Sequence, residues 1–170
     1  MLSQAFGSAT NMVATSLDSK AYLKTHYRNA MNNISQLRMR GCKVFHGVDA
    51  TNMEKEWRIF DRIIYNFPHS GDFRNTKEDA LWGNQLLIKQ FMENAVEMIE
   101  EDGEIHIRHK SNWYFWRWNL RGFASEVGGL VLIEEAPFDP CEFSGYNTKY
   151  GFRSDKNFNC HPSCTYKQGC

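Results

Sequence analysis

The fold of this chain is decided by the stretch from Phe60 to Gly71, which reads FDRIIYNFPHSG. Its apolar residues 63–65 favour a covered β-strand, because β-branched and aromatic side chains pack well on a pleated surface. Asn66 is a polar residue at the carboxyl end of that strand, and Pro68 then forces the chain to turn. Ligands of open α/β sheets bind beyond the carboxyl ends of the strands. We therefore expect a binding site at Asn66 and in the turn that follows it.

Strands and helices alternate on both sides of this stretch. The sequence predicts strands at 11–17, 43–48, 58–65, 103–109 and 130–135, and a short last strand near 165–167. It predicts helices at 21–40, from 76 to about 100, and around 116–127. The order of these elements predicts an α/β fold. Because no internal repeat or linker interrupts it, we expect a single domain over residues 1–170.

The predicted helices each have one apolar face, which is typical of helices that pack on a sheet. In the first helix this face is Leu23, Tyr27, Ala30, Ile34 and Leu37. In the second it is Leu87, Phe91, Ala95 and Met98. In the third it is Trp116, Leu120, Phe123, Ala124 and Val127.

Composition narrows the class of protein. The chain has 170 residues, 42% of them hydrophobic, which is enough for an α/β domain with a core. Its net charge of zero gives no global support for nucleic-acid binding. No apolar run approaches the roughly 20 residues that span a bilayer, and the first residues do not form a signal peptide. We therefore expect no membrane partner and no secretion.

The five cysteines suggest one alternative class, a small zinc-binding protein. Cys160, His161 and Cys164 lie close together in CHPSC, and Cys170 follows. This spacing differs from that of common zinc fingers and ribbons, and no second cysteine pair lies upstream. We predict reduced thiols and no metal, because an odd number of cysteines without a secretion signal does not indicate disulfides.

Four blocks occur in an order that resembles a known family: 46-HGVDAT-51, then the stretch from Phe60 to Gly71, then 103-GEIHIRHK-110 and 145-GYNTK-149. Together they look like the Rossmann-like domain of the 25S ribosomal RNA uridine-N3 methyltransferase family, in particular its plant members. The resemblance covers nearly the whole chain. It implies a mostly parallel sheet with helices on both faces, S-adenosylmethionine as cofactor, and N3 of a ribosomal RNA uridine as target. It also implies a cytoplasmic or nucleolar protein.

The chain departs from the family pattern at its beginning. Family members have a Gly-x-Gly-Asp-Phe-Ser-Phe-Ser motif directly before the segment that matches Leu2 to Phe6, and this chain lacks it. The resemblance therefore implies that the first strand and the glycine loop are missing. We expect weak or lost binding of S-adenosylmethionine, reduced or lost activity, and low solubility because a missing central strand exposes strand edges.

The resemblance implies a cofactor site at the ends of the first two predicted strands. Asp18 follows the first strand, where an acid hydrogen-bonds the ribose in this architecture. Its alternative is a helix N-cap, a role that Ser19 fills equally well. Asp49 and Ala50 follow the second strand, where adenine is expected. The alternative for Asp49 is a turn closed with Thr51.

The resemblance assigns the catalytic role to Asn66, Pro68 and His69. Base-modifying methyltransferases have a similar Asn/Asp-Pro-Pro-aromatic turn, whose amide and carbonyl hold a planar base. The aromatic residue of the turn stacks on that base, and Phe67 is expected to bind substrate in this way. His69 either stacks on the base or accepts the N3 proton. The alternative is a structural corner with a hydrogen-bonded surface histidine.

The remaining substrate-binding residues are predicted at two other places. His109 and Lys110 end the strand at 103–109 and so face the same crevice, and Tyr146 and Asn147 are expected to stack on and hydrogen-bond RNA. Trp113 and Tyr114 are candidate outward stacking platforms. The competing function is a non-catalytic relative that binds RNA or a protein without the cofactor.

Overall fold

The computed structural model describes residues 7–53, 59–71, 76–151 and 154–169. The chain divides into two compact units. Unit 1 comprises Met1–Asp49 and Asp139–Asn159, and unit 2 comprises Ala50–Phe138 and Cys160–Cys170. Whether the chain behaves as one domain stays a prediction.

Unit 1 contains a small parallel sheet. Strands β1 (Val13–Ser16) and β2 (Lys43–His46) pair along their whole length, so that Ser16 lies opposite His46. Helices α1 (Lys20–His26) and α2 (Ala30–Met39) connect the two strands, and α2 packs on β2. The unit also contains a short 3-10 helix, Pro140–Glu142, and an antiparallel hairpin of β6 (Lys149–Gly151) and β7 (Ser154–Asn157).

The prediction of one continuous helix over 21–40 was wrong. Tyr27 leaves the helical conformation with φ −128° and ψ 110°, and Asn29, a weak helix former, is the N-cap residue before α2. The Tyr27 hydroxyl lies close to Gly151 of the hairpin, so a tertiary contact accompanies the break. The predicted apolar face is confirmed, because all five of its residues are buried or half-buried. Gly41 follows α2 with φ +90°, a left-handed conformation that is common in the residue just past a helix.

Unit 2 is built on a four-stranded sheet. It contains β3 (Phe60–Asn66), β4 (Ile99–Lys110), β5 (Val131–Pro137) and β8 (Ser163–Gly169), in the order β3-β4-β8-β5. Strand β3 pairs parallel to β4, whereas β8 runs antiparallel to both of its neighbours. The last strand was predicted near 165–167, and it is longer and lies inside the sheet. Strand β8 lies between β4 and β5 and pairs with both of them, although both precede it in the chain.

Helix α3 (Lys77–Val96) lies on this sheet and begins as predicted. Thr76 and Asp79 form a reciprocal capping box, which satisfies two main-chain donors of the first turn. The helix ends at Val96 and not near residue 100, because residues 99–102 already belong to β4. Phe91, Ala95 and Met98 are buried as predicted, whereas Leu87 is only half-buried and the neighbouring Ile88 is fully buried.

Trp116 of the next segment was predicted to face the core, which was wrong, whereas Trp113 is exposed as predicted. Helices α4 (Trp113–Trp116) and α5 (Leu120–Val127) are separate, because Asn119 adopts a left-handed conformation with φ 58°. The break changes the helical phase, so that Trp116 is 60% exposed and Trp118 is 1% exposed. The predicted burial of Leu120, Phe123 and Ala124 on α5 is confirmed. Helix α5 packs against α3, and both contribute to one hydrophobic core in unit 2.

Within the described ranges, no helix is both long enough and apolar enough to cross a membrane.

Candidate functional site

The turn after β3 is held in an unusual backbone conformation. The Phe67 N–H donates to the Arg108 carbonyl oxygen at 2.8 Å, which extends the β3–β4 pairing one residue beyond Asn66. Phe67 has φ 49°, a left-handed conformation that costs free energy in a bulky residue. Pro68 is buried directly after it. The turn therefore carries backbone strain at the edge where a ligand is expected.

Arg108 fixes the side chain of Asn66. The two residues lie opposite each other in the β3–β4 register, and Arg108 Nη1 donates to Asn66 Oδ1 at 2.9 Å. The same guanidinium lies 4.7 Å from the centre of the Phe138 ring. Because arginine only donates, the oxygen of the Asn66 amide must face it, and the NH₂ group is oriented away. The amide therefore presents donors to a ligand.

Sequence reasoning missed Arg108. It belongs to the GEIHIRHK block, but nothing in that block alone indicates a contact with residue 66, which lies 42 positions away. Arg108 could have been found by pairing the two strands in parallel, because residues at the same distance from the strand ends then lie opposite each other.

His69 follows Pro68 and is held by its own turn. The Gly71 N–H donates to His69 Nδ1 at 3.0 Å, and Gly71 has φ +75°, which suits glycine. One side of the imidazole faces Trp118, with ring centres 5.9 Å apart, and this partial burial lowers the pKa of His69. A neutral imidazole that accepts at Nδ1 carries its proton on Nε2. This geometry suits a hydrogen-bond donor better than a general base.

Asn84 anchors the turn to helix α3. This asparagine is only 2% exposed, and its Oδ1 accepts the N–H of Ser70 at 2.8 Å. A second buried asparagine on the same helix, Asn94, accepts the Met53 N–H at 2.9 Å in the same way. Asn84 was not predicted to matter, because the apolar periodicity of a helix gives no signal for a polar residue in the core.

His109 lies in the core beneath the turn. It is 3% exposed, with its ring centre 4.3 Å from that of Trp118 and 5.0 Å from that of Phe115. Its Nδ1 donates to the Lys110 carbonyl at 3.0 Å, and burial lowers its pKa to about 4. The ring is therefore neutral at pH 7. Lys110 Nζ lies 5.6 Å from the centre of the Phe115 ring.

The predicted cofactor residues Asp18 and Asp49 lie in unit 1. Ser19, and not Asp18, caps α1, because its hydroxyl accepts the Tyr22 N–H. The N-cap alternative for Asp18 was therefore wrong, and its carboxylate is not used in that way. Asp49 lies three residues beyond the end of β2. Ala50 belongs to unit 2, where it packs against the core.

Ser16 and His46 link the ends of β1 and β2. The Ser16 hydroxyl donates to the Asp18 carbonyl and accepts from His46 Nδ1, both at 2.9 Å. A neutral His46 then has an unprotonated Nε2. That atom is buried and has no hydrogen-bond partner among the residues that the structure describes. A buried acceptor without a partner next to Asp18 fits a hydroxyl-bearing ligand.

The other predicted RNA-binding pair also lies in unit 1. Asn147 Nδ2 donates to the Gly145 carbonyl at 3.1 Å, and its Oδ1 accepts from Asn157 at 3.2 Å. The Tyr146 N–H donates to the Phe143 carbonyl at 2.9 Å. The structure thus brings together Asn66, Phe67, Pro68, His69, His109 and Lys110 in unit 2, whereas Asp18, Asp49, Tyr146 and Asn147 belong to unit 1.

In the described part of the chain, no three His, Cys, Asp or Glu side chains are grouped to hold a metal ion. Cys160 is buried and Cys164 lies on β8, and both are free thiols. Cys170, which the zinc alternative requires, lies outside the described residues.

The fold is that of Rossmann-like methyltransferases. A precorrin-6y C5,15-methyltransferase structure from Geobacter metallireducens matches 93% of this chain and 65% of its own, with a TM-score of 0.52 and 13% identity. TrmN from Thermus thermophilus matches 92% of this chain and 35% of its own, with a TM-score of 0.50 and 15% identity. At this identity the likeness shows the fold alone.

The chain belongs to the family described as rRNA (uridine-N3-)-methyltransferase BTM5-like, whose model matches residues 1–150. It is 39% identical to an uncharacterised protein of Arabidopsis thaliana over 97% of this chain and 83% of that protein. It is 36% identical to heavy metal-associated isoprenylated plant protein 41 of Arabidopsis thaliana and covers 33% of it. It is 30% identical to human ferredoxin-fold anticodon-binding domain-containing protein 1 and covers 26% of it. The chain thus spans a third or less of these two longer relatives.

Proposed function

We propose that this chain is an S-adenosylmethionine-dependent RNA methyltransferase domain that acts on N3 of a uridine in large-subunit ribosomal RNA. The observation that carries the proposal is the hydrogen bond from Arg108 to Asn66 Oδ1. It decides which groups of the Asn66 amide are available to a base. Family membership supports methyl transfer as the reaction class.

The orientation of Asn66 favours uracil over bases with an exocyclic amine. An adenine or cytosine amino group requires acceptors, and Arg108 already takes one of the two lone pairs of the Asn66 oxygen and places a positive charge beside it. The NH₂ group of Asn66 suits a carbonyl oxygen, and uracil presents one on each side of N3. N3 becomes nucleophilic when it loses its proton, and the negative charge spreads onto these oxygens. Donors and the nearby Arg108 cation stabilise that charge.

Other residues of the turn position the base. Phe67 lies edge-on to Phe138 with ring centres 5.9 Å apart, which holds one face of the Phe67 ring in place. Pro68 and His69 keep the turn rigid next to it. Correct positioning contributes strongly to the rate of such reactions, because the nucleophile must lie in line with the donor. In this proposal His109 supports the turn from below, and Lys110, Tyr146 and Asn147 contact RNA.

Asp18 and Asp49 of unit 1 and Ala50 of unit 2 are the residues that would hold the cofactor. Asp18 would accept hydrogen bonds from ribose hydroxyls, with His46 Nε2 as a further acceptor, and Asp49 and Ala50 would flank the adenine. S-adenosylmethionine, when bound, supplies an electrophilic methyl group. We place the enzyme in the cytoplasm or nucleolus, where its ribosomal RNA substrate is made and assembled.

Methyl incorporation into RNA tests the proposed function. The chain is incubated with a large-subunit ribosomal RNA transcript and millimolar S-adenosylmethionine, and the product is digested to nucleosides and analysed by mass spectrometry. We expect N3-methyluridine, and no product from a transcript whose uridines already carry an N3-methyl group. Methylation of adenosine or cytidine contradicts the uridine assignment. RNA binding without methylation favours the non-catalytic relative.

We expect weak binding of S-adenosylmethionine by this chain. None of its 170 residues forms a Gly-x-Gly sequence, the kind of loop whose main-chain donors receive the carboxylate of such a ligand. The measurement is a calorimetric titration of the chain beside a form with the family glycine motif placed ahead of Leu2. Micromolar affinity of the chain itself contradicts this expectation.

A further inference from the structure

We propose that Trp113 and Trp116, here called the tryptophan platform, bind single-stranded RNA by base stacking next to the catalytic turn. Both residues lie on α4, three positions apart, and so share one side of the helix. They are 71% and 60% exposed, unlike Trp118 of the same segment. Exposed large aromatic side chains in a group mark interaction surfaces. The proposal rests on the proposed function and extends it to the RNA that flanks the target uridine.

The platform is rigid. The Asn112 side chain accepts the N–H groups of Tyr114 and Phe115 and so caps the short helix. Gln85 of α3 donates to the Arg117 carbonyl at 2.6 Å, which ties the end of α4 to the long helix. The Tyr114 ring stands edge-on to Trp113 with ring centres 6.1 Å apart. A surface that is ordered before binding loses less entropy when a base stacks on it.

The platform is connected to the catalytic turn through packed rings. Phe115, on the inner side of α4, lies 5.6 Å from Trp118 between ring centres. Trp118 in turn lies 5.9 Å from His69 of the turn. Two aromatic side chains, Phe115 and Trp118, therefore connect the inner side of α4 to His69 of the turn.

The charge around the platform favours RNA over a protein partner. The segment from Lys110 to Arg121 contains five aromatic residues, no acid and three cations, of which Arg121 is ion-paired with Glu135 of β5. Aromatic residues interleaved with cations are typical of surfaces that bind single strands, since the bases stack and the phosphates are neutralised. Another exposed apolar pair of unit 2, Val131 and Ile133 on β5, lies next to Glu134 and Glu135 and lacks this character.

The test is fluorescence anisotropy with a labelled, uridine-containing single-stranded RNA of about 12 nucleotides. We expect Trp113→Ala/Trp116→Ala to weaken binding by roughly 10-fold to 100-fold, since stacked bases each contribute substantially. The Trp→Phe double variant keeps a stacking ring and most of the affinity. The Trp→Leu double variant keeps apolar area without a ring and binds as weakly as the alanine variant. Thermal melts verify that each variant is folded.

The matched control is Val131→Ala/Ile133→Ala, which should bind like the parent. Unchanged binding by the alanine variant, equal binding by the leucine and phenylalanine variants, or no RNA binding by the parent each overturn the platform. Parallel methylation assays separate it from the proposed function. A parent that binds through the tryptophans but methylates no uridine contradicts the function and supports the platform. A parent that methylates uridine while the alanine variant keeps its affinity contradicts the platform alone.

Discussion

The two parallel strand pairs among the described residues end in polar residues, but they are built differently. The β3–β4 pair of unit 2 rests on a core in which Ile105, Ile107 and Ile88 are fully buried. Its turn is fixed by main-chain, arginine and asparagine hydrogen bonds. The β1–β2 pair of unit 1 has little such support. The buried residues among those described in unit 1 are Ala9, Ile34, Cys42 and Thr148.

This difference suggests that the two units have different roles. The candidate RNA side is rigid before any ligand binds, so changes there should affect the chemical step and the stability of unit 2. The candidate cofactor side has few buried contacts and a buried acceptor without a partner at His46. Regions of this kind open more easily and gain order from a ligand. The following predictions test this contrast, from the largest expected effect to the smallest.

Replacing Asn66 should nearly abolish methyl transfer. We expect Asn66→Ala to lower the rate by roughly 100-fold to 1,000-fold, because a misplaced base loses alignment with the donor. Asn66→Asp keeps an oxygen for Arg108 but removes the donors, so it should be almost as inactive. The measurement is methyl incorporation into RNA at millimolar cofactor, beside a cofactor titration that should hardly change. Activity near that of the parent makes the turn a structural corner only.

His109 should make the stability of unit 2 depend on pH. Its pKa is about 4 in the folded chain and about 6.5 when unfolded, so the unfolded state binds the proton first. The free energy of unfolding should therefore fall by about 3 kcal/mol as the pH drops from about 6.5 to about 4, with no further loss from this group below that. His109→Phe should remove this component.

Hydrogen exchange of unit 2 segments between pH 7 and pH 4 measures this effect. The matched control is His26→Phe in unit 1, which should leave the pH dependence of unit 2 unchanged. A parent and a His109→Phe variant with the same pH dependence contradict the prediction.

Asn84 and Asn94 form a matched pair on one helix. Asn84→Ala removes a buried side chain and leaves the Ser70 N–H without its acceptor, so we expect a loss of about 2 kcal/mol in stability and a several-fold lower methylation rate. Asn94→Ala removes the acceptor of the Met53 N–H, so we expect a similar loss of stability but an unchanged methylation rate. The two positions are about 15 Å apart along the helix. Denaturation and methylation assays on both variants give the comparison, and equal rate losses contradict a specific role for Asn84.

Arg108 and Arg62 are compared along the same pair of strands. Arg108→Leu releases the Asn66 amide, and we expect the methylation rate to fall about tenfold, roughly the value of one oriented charged hydrogen bond. Arg62 pairs with Glu104 at 3.3 Å at the other end of the ladder, and Arg62→Leu should change the rate little. Mass spectrometry of the product adds a second readout. A loosened amide should also allow some methylation of other bases.

Local residue chemistry was enough to predict much of this fold. The strand ending at Asn66 and the turn at Pro68 follow from β-propensity and from the conformational limits of proline and glycine. The start of α3 follows from the capping pair Thr76 and Asp79. The sequence did not predict the helix break at Tyr27. It also did not predict that Trp118, and not Trp116, is the buried tryptophan. Each depends on a backbone conformation that neighbouring parts of the fold select.

The sequence by itself determined the alternation of strands and helices, the family and the position of the candidate turn, because these depend on residues close together in the chain. Only the tertiary structure decided which hydrogen-bonding groups that turn presents to a ligand. The Arg108–Asn66 bond joins residues 42 positions apart, and the Asn84–Ser70 bond depends on where a helix packs. Strand register and helix packing are set by the whole core at once. No local pattern therefore predicts that Asn66 offers donors, that His109 stays neutral, or that Trp116 of α4 faces solvent.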